Sequence, residues 1–351
     1  MYIKPKNKIL IINLSLFLVV MLILFSAFEI TLRVIQGSER IENSQGELIF
    51  EGHPELGHKM KPNFEARFRK LDFNTEFSTN SQGFRDDEFS IQDEKIIFML
   101  GDSFTAGQGV EENQTHSSLL EENLNQYKVY NLGVFGYSQR QQVIQLKQYL
   151  PIYNPEIVII NLYIGNDLID NCGELPTIKK ETTTYEKIKN FIKKSQAITF
   201  IYKKAVTPLT KTKNFYFHID SPDIQECYNI TKEHLKEIKN LSEQHDAELL
   251  ITLIARQAQT VKEKEKVLID WYDNFEEFSL ESFDLYIVNK RMLEICKDLE
   301  IDCLDLTQSF KKQDGKINLY VADGHWNSKG HELAANELSE YLINSLFLKQ
   351  I

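Results

Sequence analysis

The sequence predicts an α/β fold built on a parallel sheet, preceded by one membrane-spanning helix and a small β-rich segment. Apolar runs of strand length recur at residues 96–100, 129–132, 157–163, 249–254 and 301–306. Stretches of helical character separate or follow them near residues 115–126, 139–150, 226–245, 284–299 and 328–346. Strands that are apolar throughout, with helices between them, belong to a parallel sheet covered on both faces. The third observation is residues 9–28, an apolar run interrupted only by Asn13, Ser15 and Ser26. At 1.5 Å per residue it spans roughly 30 Å, the thickness of a bilayer's hydrocarbon core.

Taken in order, residues 1–8 read as a cytoplasmic tail, because Lys4, Lys6 and Lys8 crowd it. Residues 9–28 read as a signal anchor. The run ends Ser-Ala-Phe-Glu, without the small-x-small exit of a cleaved signal peptide. Everything after it is expected to cross to the periplasm or the exterior. Residues 29–90 form a polar linker and a small β-rich segment. There Phe64, Ala66 and Phe68, then Phe73, Thr75 and Phe77, alternate as a hairpin does. This segment closes on Asn-Ser-Gln-Gly-Phe-Arg at residues 80–85. Residues 91–351 hold the α/β domain, where a helix near residue 230 places Ile230, Leu235, Ile238 and Leu241 on one face. A lysine-rich helical insertion at about 173–224 breaks the alternation. It reads as a solvated face, a lid, or a patch for anionic lipid or acidic glycan.

With 351 residues the chain has room for one large domain with insertions. Its net charge of −11 argues against a nucleic-acid partner, which needs a basic surface. Cys172, Cys227, Cys296 and Cys303 all lie beyond the anchor. Pairing of Cys172 with Cys227 and of Cys296 with Cys303 is one expectation, and four buried thiols the other. No cysteine spacing resembles a zinc site.

The chemistry gathers at strand ends, where ligands sit in parallel α/β folds. Gly101-Asp102-Ser103 follows the first strand, and a serine hydroxyl becomes a nucleophile when a neighbouring base takes its proton. Residues 131–136, Asn-Leu-Gly-Val-Phe-Gly, follow the second strand and offer backbone N–H groups. Gly165-Asn166-Asp167 follows the third and brings an amide donor. Asp323-Gly324-His325-Trp326 precedes the last helix and sets an imidazole two residues from a carboxylate. Taken singly, Ser103 would read as a helix N-cap, Asn166 as a left-handed loop residue, Gly136 as a turn glycine and His325 as a loop histidine. Asp102 and His331 read as structural, and Asn327 with Ser328 as the cap of the last helix.

These blocks resemble, in order over residues 95–346, the SGNH (GDSL) hydrolase superfamily, with Phe104 where the family name has leucine. The resemblance implies a flavodoxin-like three-layer α/β/α sandwich with Ser103 as nucleophile, His325 as general base and Asp323 as the acid that orients it. It also implies an oxyanion hole built from the Ser103 and Gly136 N–H groups and the Asn166 side chain. The family's usual Asp-x-x-His is here Asp-x-His, with Ala322 in the other place; alginate-acetylase-like relatives share Asp-x-His-Trp, which points towards glycans. The anchor and the Asn-x-x-Gly-Phe-Arg stretch resemble a membrane-anchored branch.

Other chemistries lack their residues. No third strong ligand joins Asp323, His325 and His331 at a known metal spacing, and no Gly-x-Ser-x-Gly elbow, Ser-x-x-Lys pair at Ser103 or P-loop is present. No cofactor and no metal are implied. The expected function is a membrane-anchored serine esterase or O-acylesterase acting on an acylated envelope glycan or a lipid-like ester. Two alternatives are an O-acetyltransferase on the same residues and a non-catalytic, membrane-tethered glycan-binding module.

Overall fold

In the computed structural model, residues 5–36, 41–70, 72–92, 95–173, 197–198, 222–266 and 284–345 are described. Most of the lysine-rich insertion lies outside them. The chain divides into two compact units. In the smaller one, helix α1 runs Pro5–Gln36, and within it Ile12–Leu32 is a 21-residue stretch of mean hydropathy 2.4. By length and composition it can cross a bilayer. Near its end the Glu29 carboxylate accepts the Ala197 N–H at 2.8 Å.

The larger unit begins with five short strands: β1 (Ile41–Glu42), β2 (Phe50–His53), β3 (Gly57–Met60), β4 (Glu65–Arg69) and β5 (Asn74–Ser78). β2 and β3 pair as an antiparallel hairpin, and β1, β4 and β5 form a three-stranded sheet. The alternating pattern of residues 64–77 falls on β4 and β5. The β2–β3 hairpin carries Gly, His, Glu and Lys in place of an apolar alternation, so the sequence hides it.

Behind it stands the sheet of β6 (Ile96–Leu100), β7 (Lys128–Asn131), β8 (Ile157–Tyr163), β9 (Glu248–Ile254) and β10 (Asp302–Asp305). All neighbours are parallel, in the order β10-β9-β8-β6-β7. Pleating sends alternate residues to opposite faces. Ile96, Phe98 and Leu100 pack in one cluster, with α3 (Gln139–Tyr153), α5 (Pro222–Gln244) and α7 (Ile287–Asp298). Ile97 and Met99 pack in another, with α2 (His116–Leu124) and α9 (Ser328–Asn344). Because both faces are covered, every residue of β6 is buried and none needs to be polar. This is the three-layer sandwich expected. The short helices α4 (Asp167–Cys172), α6 (Gln257–Thr260) and α8 (Thr307–Lys311) sit at the strands' carboxyl ends.

On α5, Leu235 and Ile238 are buried as read, while Ile230 is only half-buried. The stripe passes through Thr231 instead, whose hydroxyl donates to the Cys227 carbonyl and accepts from Asn171 of α4. β6 lies between β8 and β7, so the chain leaves it to one side and returns on the other. In parallel α/β folds such a reversal is where ligands gather, here at the carboxyl ends of β6 and β8.

The structure pairs Cys172 with Cys227 and Cys296 with Cys303. The first tie fastens the end of α4 to α5 and closes a loop of 55 residues; the second closes seven. By loop-closure entropy these contribute about 4 and about 2 kcal/mol respectively. Denaturant unfolding of Cys172→Ser/Cys227→Ser and Cys296→Ser/Cys303→Ser proteins should therefore show the larger loss for the first pair.

Candidate active site

The turn after β6 is built by its own acid. The Asp102 carboxylate is buried and accepts the Phe104 N–H at 2.9 Å, while the Asp102 carbonyl accepts the Ala106 N–H. Burial raises this carboxyl to about 6. No helix starts at Ser103; a short 3-10 turn at Glu112–Gln114 follows, and the next α-helix begins after Thr115, whose hydroxyl caps it. The N-cap role therefore belongs to Thr115, and Ser103 is left at a half-buried corner.

The Ser103 Oγ lies 2.8 Å from His325 Nε2, across 222 residues of chain. His325 Nδ1 lies 2.8 Å from Asp323 Oδ1, which also accepts the His325 backbone N–H at 3.1 Å. The carboxylate curls back over only two residues because Gly324 takes φ +91°, open to a residue without Cβ. Two packing contacts hold the imidazole. Its ring sits 4.7 Å from that of Phe104, and the adjacent Trp326 is buried against Phe104 and Phe310. The Tyr320–Trp326 bridge and the Val321 N–H to His325 carbonyl bond fasten the backbone.

Sequence reasoning missed Gln108. Its Nε2 donates to Asp323 Oδ2 at 2.7 Å and approaches His325 Nδ1 at 3.0 Å. The network assigns the protons: Nδ1–H goes to Asp323 Oδ1, an amide N–H of Gln108 goes to Oδ2, and Nε2 presents its lone pair to Ser103. Both oxygens of the carboxylate are thus occupied. Gln108 is itself set by Arg85, also missed as a site residue. The buried Arg85 guanidinium donates to the carbonyls of Gly107 (2.7 Å), Val110 (2.8 Å) and Glu76 (2.7 Å), and lies over the Phe77 ring. Burial lowers it to about 10, so it stays charged at neutral pH. The only trace in sequence is an arginine after a glycine turn and a glutamine between two glycines, a pattern many surface loops share.

The remaining predicted residues lie on the neighbouring strand ends. Gly136 follows β7 on a loop tied to β6 by the Val134 N–H to Gly101 carbonyl bond. Asn166 caps α4 with φ −144°, which excludes a left-handed loop conformation. Its Nδ2 donates to Asp170 Oδ2 at 2.5 Å, and its Oδ1 is buried without a partner among the described residues. One amide proton remains for a ligand. Asp167 is a scaffold: it accepts from Gln139 Nε2 and the Tyr163 N–H, and burial raises its carboxyl.

Behind the Ser103 turn, His116 and His331 form a buried pair with Nδ1 atoms 3.1 Å apart. His331 Nδ1 accepts the His116 backbone N–H, and His116 Nε2 accepts from Asn161 Nδ2, which also donates to Thr105 Oγ1. Both rings are therefore neutral, the first Nδ1–H and the second Nε2–H. His331 is structural, as read.

Residues 97–338 match the family model for the GDSL-like lipase/acylhydrolase domain. The chain belongs to that family. It is an ester-hydrolysing enzyme, and the alternative of a non-catalytic glycan-binding module falls away. Among solved structures, the GDSL chain is similar to an acetyl xylan esterase, AlAXEase, at 12% identity and TM-score 0.42, covering 70% of this chain and 99% of that one. A GDSL-like lipase from Bacteroides thetaiotaomicron matches at 14% identity and TM-score 0.39, covering 72% and 89%. A two-domain esterase, CEX, active on acetylated mannans, matches at 13% identity and TM-score 0.40, covering 71% and 49%. No curated protein matches the chain.

Two outcomes follow for this GDSL enzyme. Gln108→Leu should lower kcat about tenfold with KM within twofold, because a leucine has no N–H to hold the second carboxylate oxygen. Steady-state kinetics on a small acetyl ester check this. Burial pushes His116 down to about 3 and His331 down as well. Histidines depressed in the folded state contribute stability above about pH 6.5 that is lost as the pH falls towards 3, since the unfolded chain takes up the protons. In denaturant unfolding, the stability gap between wild type and His116→Gln should shrink by about 2 kcal/mol between pH 7 and pH 5.

Proposed function

We propose that this protein is a membrane-anchored serine O-acylesterase working through a Ser103–His325–Asp323 triad. The observation that carries the reading is the 2.8 Å approach of the Ser103 hydroxyl to the free nitrogen of an imidazole whose other nitrogen faces a carboxylate. A triad is recognised by such geometry rather than by sequence position.

In this reading His325 Nε2 takes the hydroxyl proton as Ser103 Oγ bonds to the ester carbonyl carbon. The carbonyl electron pair moves onto oxygen, where the N–H groups of Ser103 and Gly136 and the free amide proton of Asn166 stabilise it. Collapse breaks the bond to the alcohol, which leaves with the proton from His325. Water then gives a proton to His325 and its oxygen to the acyl carbon, and Ser103 Oγ departs, recovering that proton. Asp323, held by Gln108, stabilises the imidazolium in each half-reaction.

Membrane anchoring by α1, with residues 1–8 cytoplasmic, is part of the proposal. Its support is the length and hydropathy of Ile12–Leu32, the three lysines of the tail, and two disulfides, which persist in oxidising compartments. The catalytic domain would then face the periplasm or the exterior. The substrate class proposed is an O-acylated envelope glycan or a lipid-like ester, drawn from the Asp-x-His-Trp resemblance and the anchor.

A fluorophosphonate probe should label wild-type protein at Ser103 and leave Ser103→Ala unlabelled. Hydrolysis of a small acetyl ester should vanish in Ser103→Ala and His325→Ala. Asn166→Ala should retain a weak rate, down ~10²–10³. Wild-type turnover by His325→Ala would refute the base assignment.

A further inference from the structure

The β-rich segment before the catalytic sheet reaches the loop that bears Gly136. His58, on β3, lies with Nε2 2.8 Å from the Phe135 carbonyl oxygen. A carbonyl only accepts, so Nε2 carries the proton and donates. Phe135 C=O and Gly136 N–H belong to one planar trans peptide, in which the two bonds point in opposite directions. Fixing the carbonyl against His58 therefore fixes the amide N–H, directed away from the β-rich segment. Among the described residues no acceptor takes that N–H. Gly136 is exposed, with φ +71°, and nothing lies within 4 Å of where a Cβ would be. The Tyr137 N–H to Val134 carbonyl bond closes the turn around this peptide, and His58 is what holds the orientation of its own carbonyl.

The rest of the contact is built to hold His58 in place. Tyr137 Oη donates to the His58 carbonyl at 2.6 Å, so the two residues clasp each other across the peptide. The imidazole packs edge-on against Phe50 and Tyr137, each at 5.4 Å between ring centres. The Phe135 ring lies against Phe50 and Phe77 at 5.7 and 5.6 Å.

We propose that His58 is a positioning residue for the oxyanion hole, holding and polarising the Phe135–Gly136 peptide so that the Gly136 N–H meets the developing oxyanion. This rests on the reading of Gly136 as a donor given above. Donors stabilise a transition state when they need no reorganisation, which is what a loop glycine lacks by itself. Hydrogen bonding at the carbonyl also strengthens the N–H of the same amide as a donor.

The test compares His58→Phe, which keeps a ring but removes the donor, with His58→Gln, whose amide N–H can reach the same carbonyl. Kinetics on a small acetyl ester and the rate of fluorophosphonate labelling are measured on full-length protein, with melting temperature as the control. His58→Phe should lower kcat and the labelling rate about tenfold with KM within twofold, less than the ~10²–10³ of a lost donor. His58→Gln should recover most of that loss. Should His58→Phe not fold, Tyr137→Phe carries the test, with a smaller fall in kcat at unchanged KM. Reactive wild-type protein beside unaltered kcat in His58→Phe, or in Tyr137→Phe if that variant replaces it, would overturn the role of His58 alone. Equal losses in His58→Phe and His58→Gln that track melting temperature would also overturn it. Wild-type protein that neither labels nor turns over would refute the serine-esterase reading, and this inference with it.

Discussion

The hydrogen bond between Ser103 and His325 joins two points 222 residues apart, and most of the molecule exists to keep them 2.8 Å from each other. A hydroxyl and an imidazole in water would rarely meet. Here a parallel sheet brings every strand's carboxyl end to one edge, and the last helix folds back onto the face that α2 also covers. His325 arrives at the start of that helix with a buried tryptophan beside it. The apolar contacts of Trp326 with Phe104 and Phe310 fix the imidazole more firmly than the polar bond could alone, since buried aromatic area outweighs one hydrogen bond.

The shortened spacing between Asp323 and His325 makes its own demand. A carboxylate two residues from the imidazole must double back, and a glycine between them takes the left-handed conformation that allows it. The second carboxylate oxygen then faces Gln108, and the loop carrying Gln108 is held by three short bonds from the Arg85 guanidinium to carbonyls around it. Burying a charge is tolerable when several dipoles replace its water shell. A cation buried against carbonyls in this way is a rigid strut.

Arg85 and His58 both come from the β-rich segment, whose strand pattern the sequence shows but whose contacts with the site it does not. One grips the loop after Ser103, the other the Gly136 loop, while Ile41, Ile49, Met60, Phe68 and Phe77 join the same apolar cluster as the sheet. The segment is thus an integral part of the site's frame, and its polar contacts work because the apolar ones fix their distance.

Periodicity alone determined the catalytic sheet: β6 and β8 begin and end where the apolar runs do, and β7, β9 and β10 within a residue of them. Burial on both faces writes itself into sequence as an unbroken apolar run. The Gly-Asp-Ser corner, Gly136, Asn166 and the Asp-x-His pair stood out as candidates because, in order along the chain, they resemble the blocks of one family; taken singly each reads as a cap or a turn. Gln108, Arg85 and His58 were not, since a side chain that acts through a carbonyl or another side chain has no spacing to betray it. The β2–β3 hairpin was equally silent, its contacts coming from a loop some 80 residues away. Local chemistry determined which groups could react. The tertiary fold alone decided which of them touch, because contact between distant segments depends on packing that no short stretch of sequence contains.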